Sequence, residues 1–215
     1  MSSVFIATPI RDYSVAADFC ESLGETASVL RQAGIGMQWV KFNPCPFVMF
    51  GRDILTANFL VSDATHLLFI DADMGWRAGD VLRLLRADRP IIGAVYRRKR
   101  ESLEWTVGKT GADIGDYVEA DRIGTGMMMI RRDALLHIIA TAKPRLYRWP
   151  DPTADYKRIS ENLYHLFSLG ESETEGLVGE DWAFCDMARR CGIMPAALKD
   201  CECTHTGEAR FVGRW

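Results

Sequence analysis

The stretch Leu67-Leu68-Phe69-Ile70-Asp71-Ala72-Asp73-Met74 decides the fold. Its consecutive large apolar residues predict a strand buried on both faces, the pattern of a central strand in a mostly parallel sheet. Two carboxylates follow at the carboxyl end of that strand, the edge where open α/β sheets hold ligands. In extended backbone, residues two apart point the same way, so Asp71 and Asp73 can converge on one point. Hard oxygen ligands in low number suit Mg²⁺ or Mn²⁺, which keep some waters and take phosphate oxygens from a substrate. Taken alone, Asp-x-Asp reads more readily as an acidic turn that ends a strand, so the rest of the chain must decide.

Upstream, Val4 to Ala7 predicts a first strand, stopped by Thr8-Pro9 because proline cannot donate to a ladder. Beyond Ile10 and Arg11, Asp12 or Ser14 is expected to cap a helix bearing Val15, Phe19, Leu23, Ala27 and Leu30, with Gly34 as its stop. Met37 to Phe42 predicts a second strand, Asn43 to Pro46 a loop, and Arg52 to Ser62 a second helix. The resulting βαβαβ order implies a parallel sheet. Downstream, a helix from Gly79-Asp80 carries Val81, Leu84 and Leu85, and Ile91 to Tyr96 is another buried strand.

From Glu101 the pattern changes. Trp105-Thr106-Val107, Tyr117-Val118-Glu119 and Arg122 to Ile130 predict strands joined by glycine-containing turns. Asp133 is expected to cap a short helix. Residues 141–178, with Tyr147, Trp149, Tyr156, Tyr164 and Phe167, read as a long, partly helical loop of the functional or mobile kind. Gly179-Glu180-Asp181 introduces a last helix, followed by strands at Met194 to Leu198 and Cys201 to His205. The fold class expected is α/β: a mostly parallel central sheet flanked by helices, with antiparallel additions in the C-terminal half.

The 215 residues, 48% of them hydrophobic, suffice for one domain with a substantial core. A net charge of −3 and a pI near 5.8 exclude a global basic field of the kind that grips nucleic acid. No stretch approaches a membrane span and the start lacks the features of a signal peptide, so a cytoplasmic protein is expected. Its six cysteines are then expected to be thiols. Cys201, Cys203 and His205 share a strand face, but zinc knuckles have wider spacing and a fourth ligand.

Thr8-Pro9, Asp71-Ala72-Asp73, Gly124-Thr125-Gly126-Met127-Met128, Gly179-Glu180-Asp181-Trp182 and His205-Thr206-Gly207 followed by Phe211 occur in one order. Together they resemble the GT-A class of nucleotide-sugar glycosyltransferases over essentially the whole chain, and Ala64 to Met74 looks like a subgroup of small bacterial and viral members. The resemblance implies a GT-A-like, Rossmann-like domain over 1–215, with a nucleotide-binding half of about 1–100 and an acceptor-binding half of about 101–215. It further implies that Asp71 and Asp73 bind ribose and a Mn²⁺ or Mg²⁺ bridging the donor diphosphate, that Glu180-Asp181 supplies a base, and that His205 is a further metal ligand.

Several of these residues have plainer readings. Asp181 can be a helix cap or first-turn acid, although one cap does not need two acids behind a flexible Gly179. Trp182 is either a core anchor or a sugar-stacking platform. Arg11, Arg52 and the run Arg97-Arg98-Lys99-Arg100 fall at the carboxyl edge, either solvated or in contact with nucleotide or diphosphate. Gly124 and Gly126 are too few for a phosphate cradle and are expected to let a strand approach the sugar. His66 reads as structural, and His137 and His165 carry no role.

The function expected is metal-dependent transfer of a sugar from a nucleotide diphosphate sugar, UDP- or GDP-linked, to a glycan or other hydroxyl acceptor, with inversion and Asp181 as base. Donor contacts are expected from Thr8, Pro9, Arg11, Arg52, Asp71, Ala72, Asp73 and Lys99. Acceptor contacts are expected from Gly126 and Trp182, catalytic carboxylates from Asp181 and Glu180, and metal ligands from Asp71, Asp73 and His205. The rivals are a haloacid-dehalogenase-like phosphohydrolase, whose nucleophile strand Phe69 to Asp73 also resembles, a non-catalytic nucleotide or glycan-binding module, and a nucleotidyltransferase.

Overall fold

A computed structural model describes residues 2–147, 154–172, 176–207 and 210–215. In chain order the elements are β1 (Ser3–Pro9), α1 (Ala17–Gln32), β2 (Gly36–Phe42), α2 (Val48–Val61), β3 (His66–Ile70), β4 (Met74–Trp76), α3 (Ala78–Ala87) and β5 (Ile91–Ala94). There follow β6 (Thr110–Ile114), β7 (Tyr117–Ala120), β8 (Met127–Arg131), α4 (Arg132–Ala142), α5 (Ala154–Ser160), β9 (Gly170–Ser172) and β10 (Gly176–Val178). The chain closes with α6 (Glu180–Arg190), β11 (Ala196–Leu198), β12 (Glu202–Thr206) and β13 (Arg210–Arg214).

The reading of β3 as buried on both faces holds residue by residue. Leu67 and Phe69 point into a core formed with Leu55 and Phe59 of α2, Leu135 and Ile138 of α4, and Phe184 and Ala188 of α6. Leu68 and Ile70 point into the opposite core, with Phe19 and Leu30 of α1 and Val81 and Leu84 of α3. Two helical layers thus sandwich one sheet, and each of these side chains gains about 1.5–3 kcal/mol by burial.

The main sheet has eight strands in the order β2-β1-β3-β8-β5-β11-β7-β6. β1 pairs parallel with β2 and β3, and β11 pairs parallel with β5. β8 runs antiparallel to both β3 and β5, so the reversed strand lies inside the sheet between strands of the first hundred residues. The α/β class with a mostly parallel core flanked by helices is therefore found, and both halves of the chain build one sheet. A small sheet, β13-β12-β4, sits beside it, with Met74 paired opposite His205. No helix among the described residues is long and apolar enough to cross a membrane.

Local expectations fail where tertiary contacts override them. Neither Asp12 nor Ser14 caps α1: they bond each other at 2.9 Å, and the cap position is Ala16, whose amide donates to the Ala72 carbonyl at 2.8 Å. The start of α1 is thereby fixed by the turn after β3. Asp133 lies in the first turn of α4 rather than at its cap, and accepts from the Ala134 amide at 2.9 Å. Trp105 and Val107 form only isolated bridges, and the strand expected from Arg122 begins at Met127. Within the long loop Trp149 lies outside the described residues. Phe167 is core, with Phe69 at 5.2 Å and Phe184 at 4.6 Å between ring centres.

Two polar anchors, Arg132 half-buried and Asp53 buried, hold the helices. The Arg132 guanidinium donates to the carbonyls of Phe59, Leu60, Ser62 and Ala64, satisfying the carboxyl end of α2. Asp53, 1% exposed, accepts from the Leu166 and Phe167 amides at 3.0 and 2.9 Å and from the Tyr147 hydroxyl at 2.9 Å, pinning the loop to α2. Asp53→Ala would leave two buried amides unpaired and is expected to cost about 3 kcal/mol in urea unfolding, whereas Asp53→Asn, which retains an acceptor, should cost less.

Candidate active site

The carboxyl edge of the sheet gathers the site. A cavity of about 500 Å³ lies there, lined by Pro9, Arg11, Val15, Val48, Asp71, Ala72, Asp73 and Thr206 among others. Asp71 follows β3 directly, and its amide donates to the Gly126 carbonyl at 3.1 Å, so the residue before β8 fixes the backbone of Asp-x-Asp. Arg52, on α2, is 2% exposed; its Nη2 donates to Asp71 Oδ1 at 2.9 Å and its Nε to Glu180 Oε1 at 3.5 Å. Burial works against the Arg52 charge, but Asp71 and Glu180 outweigh it and raise the pKa. Nη1 of Arg52 is buried without a hydrogen-bond partner among the described residues.

Asp73 is held differently. Its Oδ2 accepts from the Lys99 ammonium. Its Oδ1 is buried without a donor among the described residues and stands 3.7 Å from His205 Nε2. His205 Nδ1 lies 3.0 Å from the Arg97 carbonyl, which assigns the proton to Nδ1 and leaves a lone pair on Nε2. Burial, with Lys99 adding to it, lowers the His205 pKa despite the Arg97 carbonyl and Asp73, so the ring is neutral at pH 7. A carboxylate oxygen and an imidazole lone pair facing one another without a proton between them fit a divalent cation. Among the described residues no three His, Cys, Asp or Glu are gathered tightly enough to hold an ion alone, and Asp71 is turned to Arg52. Water and substrate oxygens would complete such a shell. Cys201 and Cys203 take no part: both are buried core thiols, and burial pushes Cys201 up to about 12.

Glu180 and Asp181 open α6 behind Gly179, which occupies the cap position. Asp181 is a first-turn acid, with Oδ1 accepting from the Trp182 amide at 2.8 Å. Burial first, then the neighbouring Glu180 and Asp71 carboxylates, raise its pKa to about 6 against the Trp182 amide and Arg52. Trp182 is half-buried, its ring against the guanidiniums of Arg98 at 5.3 Å and Arg122 at 4.9 Å. It belongs to none of the core clusters, and two guanidiniums pack on its ring.

Two donor and acceptor expectations are corrected. Thr8 is wholly buried, and its hydroxyl accepts from the Trp39 indole at 3.1 Å, so its side chain does not reach the cavity. The room left by Gly124 and Gly126 is filled by Tyr96: a Cβ at Gly126 would lie 2.5 Å from that ring. The Tyr96 hydroxyl accepts from the Gly126 amide at 2.9 Å, and burial with Asp71 and Asp181 nearby keeps it protonated. Sequence reading missed Tyr96, whose signal was an aromatic residue at the carboxyl end of a buried strand. It also missed Val15 and Val48, which carry no signal of their own, and gives Thr206 only as part of the His205-Thr206-Gly207 motif. Pro9, Arg11, Ala72, Lys99 and His205 do reach this edge.

Neither a known sequence family nor a curated protein matches the chain. Among solved structures, A197 from STIV aligns with a TM-score of 0.53 at 15% identity, over 100% of this chain and 95% of that one. Mannose-1-phosphate geranyltransferase from Thermus thermophilus aligns at 0.44 with 11% identity, over 92% and 74%. A glycosyltransferase involved in glycosylation of the major capsid of PBCV-1 aligns at 0.36 with 11% identity, over 63% and 62%. The first likeness shows a shared fold over the whole chain.

Removing the charge of Glu180 takes away a carboxylate that raises the Asp181 pKa. Glu180→Gln is therefore expected to move the Asp181 carboxyl titration, followed by ¹³C NMR, to below about 6. An unmoved titration would leave burial and Asp71 as the causes.

Proposed function

We propose that this chain is a metal-dependent glycosyltransferase that moves a sugar from a UDP- or GDP-linked donor to an acceptor hydroxyl, with inversion. The observation that carries the reading is the buried Arg52, which joins Asp71 at the diphosphate end to Glu180 beside Asp181. One guanidinium thus sets the spacing between a leaving-group site and a base.

Asp73 and His205 would hold Mn²⁺ or Mg²⁺, which would neutralise charge developing on a departing diphosphate, while Asp71, turned to Arg52, lines the same edge. Arg52 and Lys99 add fixed and movable positive charge at the same edge. Asp181 takes the acceptor proton as the acceptor oxygen bonds to the anomeric carbon and the bond to diphosphate breaks, the electron pair leaving with the diphosphate. Its pKa of about 6 suits that work near neutrality. Trp182, next to Asp181, would contact the acceptor. A phosphohydrolase would need Asp71 as nucleophile; that carboxylate is instead bonded to a buried guanidinium, which favours a binding role.

With Mn²⁺ and a cognate nucleotide sugar, found by thermal shift across UDP- and GDP-sugars, the released species should be the nucleoside diphosphate. Asp181→Asn keeps shape but cannot accept the proton, so turnover should fall by roughly 10²-fold or more with donor affinity nearly intact. The wild-type rate should decline as pH falls through about 6, where Asp181 becomes protonated. Rapid hydrolysis of simple phosphate monoesters, or product with the donor's anomeric configuration, would overturn the assignment.

A further inference from the structure

Three members of the basic run 97–100 have partners other than the acidic edge. Arg97 donates to the carbonyls of Arg100 and Glu101, Arg98 lies on the Trp182 ring, and Arg100 pairs with Glu104. Lys99 alone reaches across to Asp73. It takes Oδ2 of the same carboxylate whose Oδ1 faces the His205 lone pair. Lys99 and Asp73 side chains are 32% and 40% exposed, so the ammonium can leave without crossing the core.

Resting on the reading of Asp73 and His205 as the cation seat, we propose that Lys99 couples metal binding to diphosphate binding by changing partners. In the free protein its ammonium neutralises Asp73 and competes with a divalent ion for that carboxylate. A cation entering between Asp73 and His205 weakens the attraction of Asp73 for Lys99 and repels its charge. The flexible four-carbon stem then carries the ammonium to the next available anion at this edge, the donor diphosphate. An ion entering alone must therefore displace the lysine without recompense, whereas an ion entering with diphosphate lets it form a new ion pair. The two ligands consequently bind with positive coupling, which is reciprocal by linkage. Lys99 is thus a binding residue whose effect changes sign between the free and the nucleotide-bound protein.

Lys99→Met keeps the stem and removes the charge. Calorimetric titration with Mn²⁺ alone should show affinity raised by roughly two- to fivefold, the range of a partly exposed ion pair. Titration with UDP and GDP in parallel at saturating Mn²⁺ should show the tighter of the two weakened by roughly tenfold. A lysine that only binds phosphate would leave the Mn²⁺ affinity unchanged, and one that only braces Asp73 would leave the nucleotide affinity unchanged; either result overturns the proposal. Asp73→Ala separates the two levels. If Mn²⁺ affinity depends on Asp73 but not on Lys99, the partner exchange alone fails. If Mn²⁺ binds equally well without Asp73, the cation seat fails with it.

Discussion

A guanidinium sealed from water between two carboxylates is the constraint on which this site depends. Arg52 belongs to α2, Asp71 to the turn after β3 and Glu180 to the start of α6, so three elements distant in sequence meet on one side chain. A buried charge is costly unless paired and hydrogen-bonded. The pairing is therefore strict: displacing either acid would leave the cation with one ion-pair partner and a further unpaired N–H group among apolar neighbours such as Phe69, whose ring lies 5.4 Å away. The interior of the protein enforces the spacing of the acids because it cannot tolerate their departure from Arg52.

The two acids of Asp-x-Asp consequently have different physical lives despite standing two residues apart. Asp71 is tied through its side chain to a buried arginine and through its amide to Gly126. Asp73 is half-exposed, shares one oxygen with a lysine and turns the other to a neutral histidine. One is scaffold and the other is responsive, and the same division recurs at α6, where Glu180 is paired and Asp181 is left with a perturbed proton affinity.

The sequence made the central strand and the acidic edge legible because burial on both faces leaves an unbroken apolar run, and that run ends where the acids begin. Arg52 was visible only as an arginine near the right edge; nothing in local spacing shows that a charged residue inside a helix will be 2% exposed. Thr8 was misjudged for a related reason, since its hydroxyl is claimed by Trp39 from a neighbouring strand. Tyr96 and the Gly124–Gly126 pair are complementary in shape, a relation that exists only after β5 and β8 are placed side by side. Helix caps failed where a tertiary partner fixed the first turn, as the Ala72 carbonyl does for α1.

The position of β8 bears on how such a protein can be cut, fused or shuffled. β3 and β5 both come from the first hundred residues, yet they never touch as neighbours in the sheet, because a reversed strand from the other half lies between them. An isolated N-terminal fragment would expose two unpaired inner edges, and the missing strand also brings Gly126, whose carbonyl anchors Asp71. The two halves of the chain are thus interleaved rather than modular. Loops at the carboxyl edge can be changed without disturbing this sheet, but one half of the chain cannot be exchanged for another.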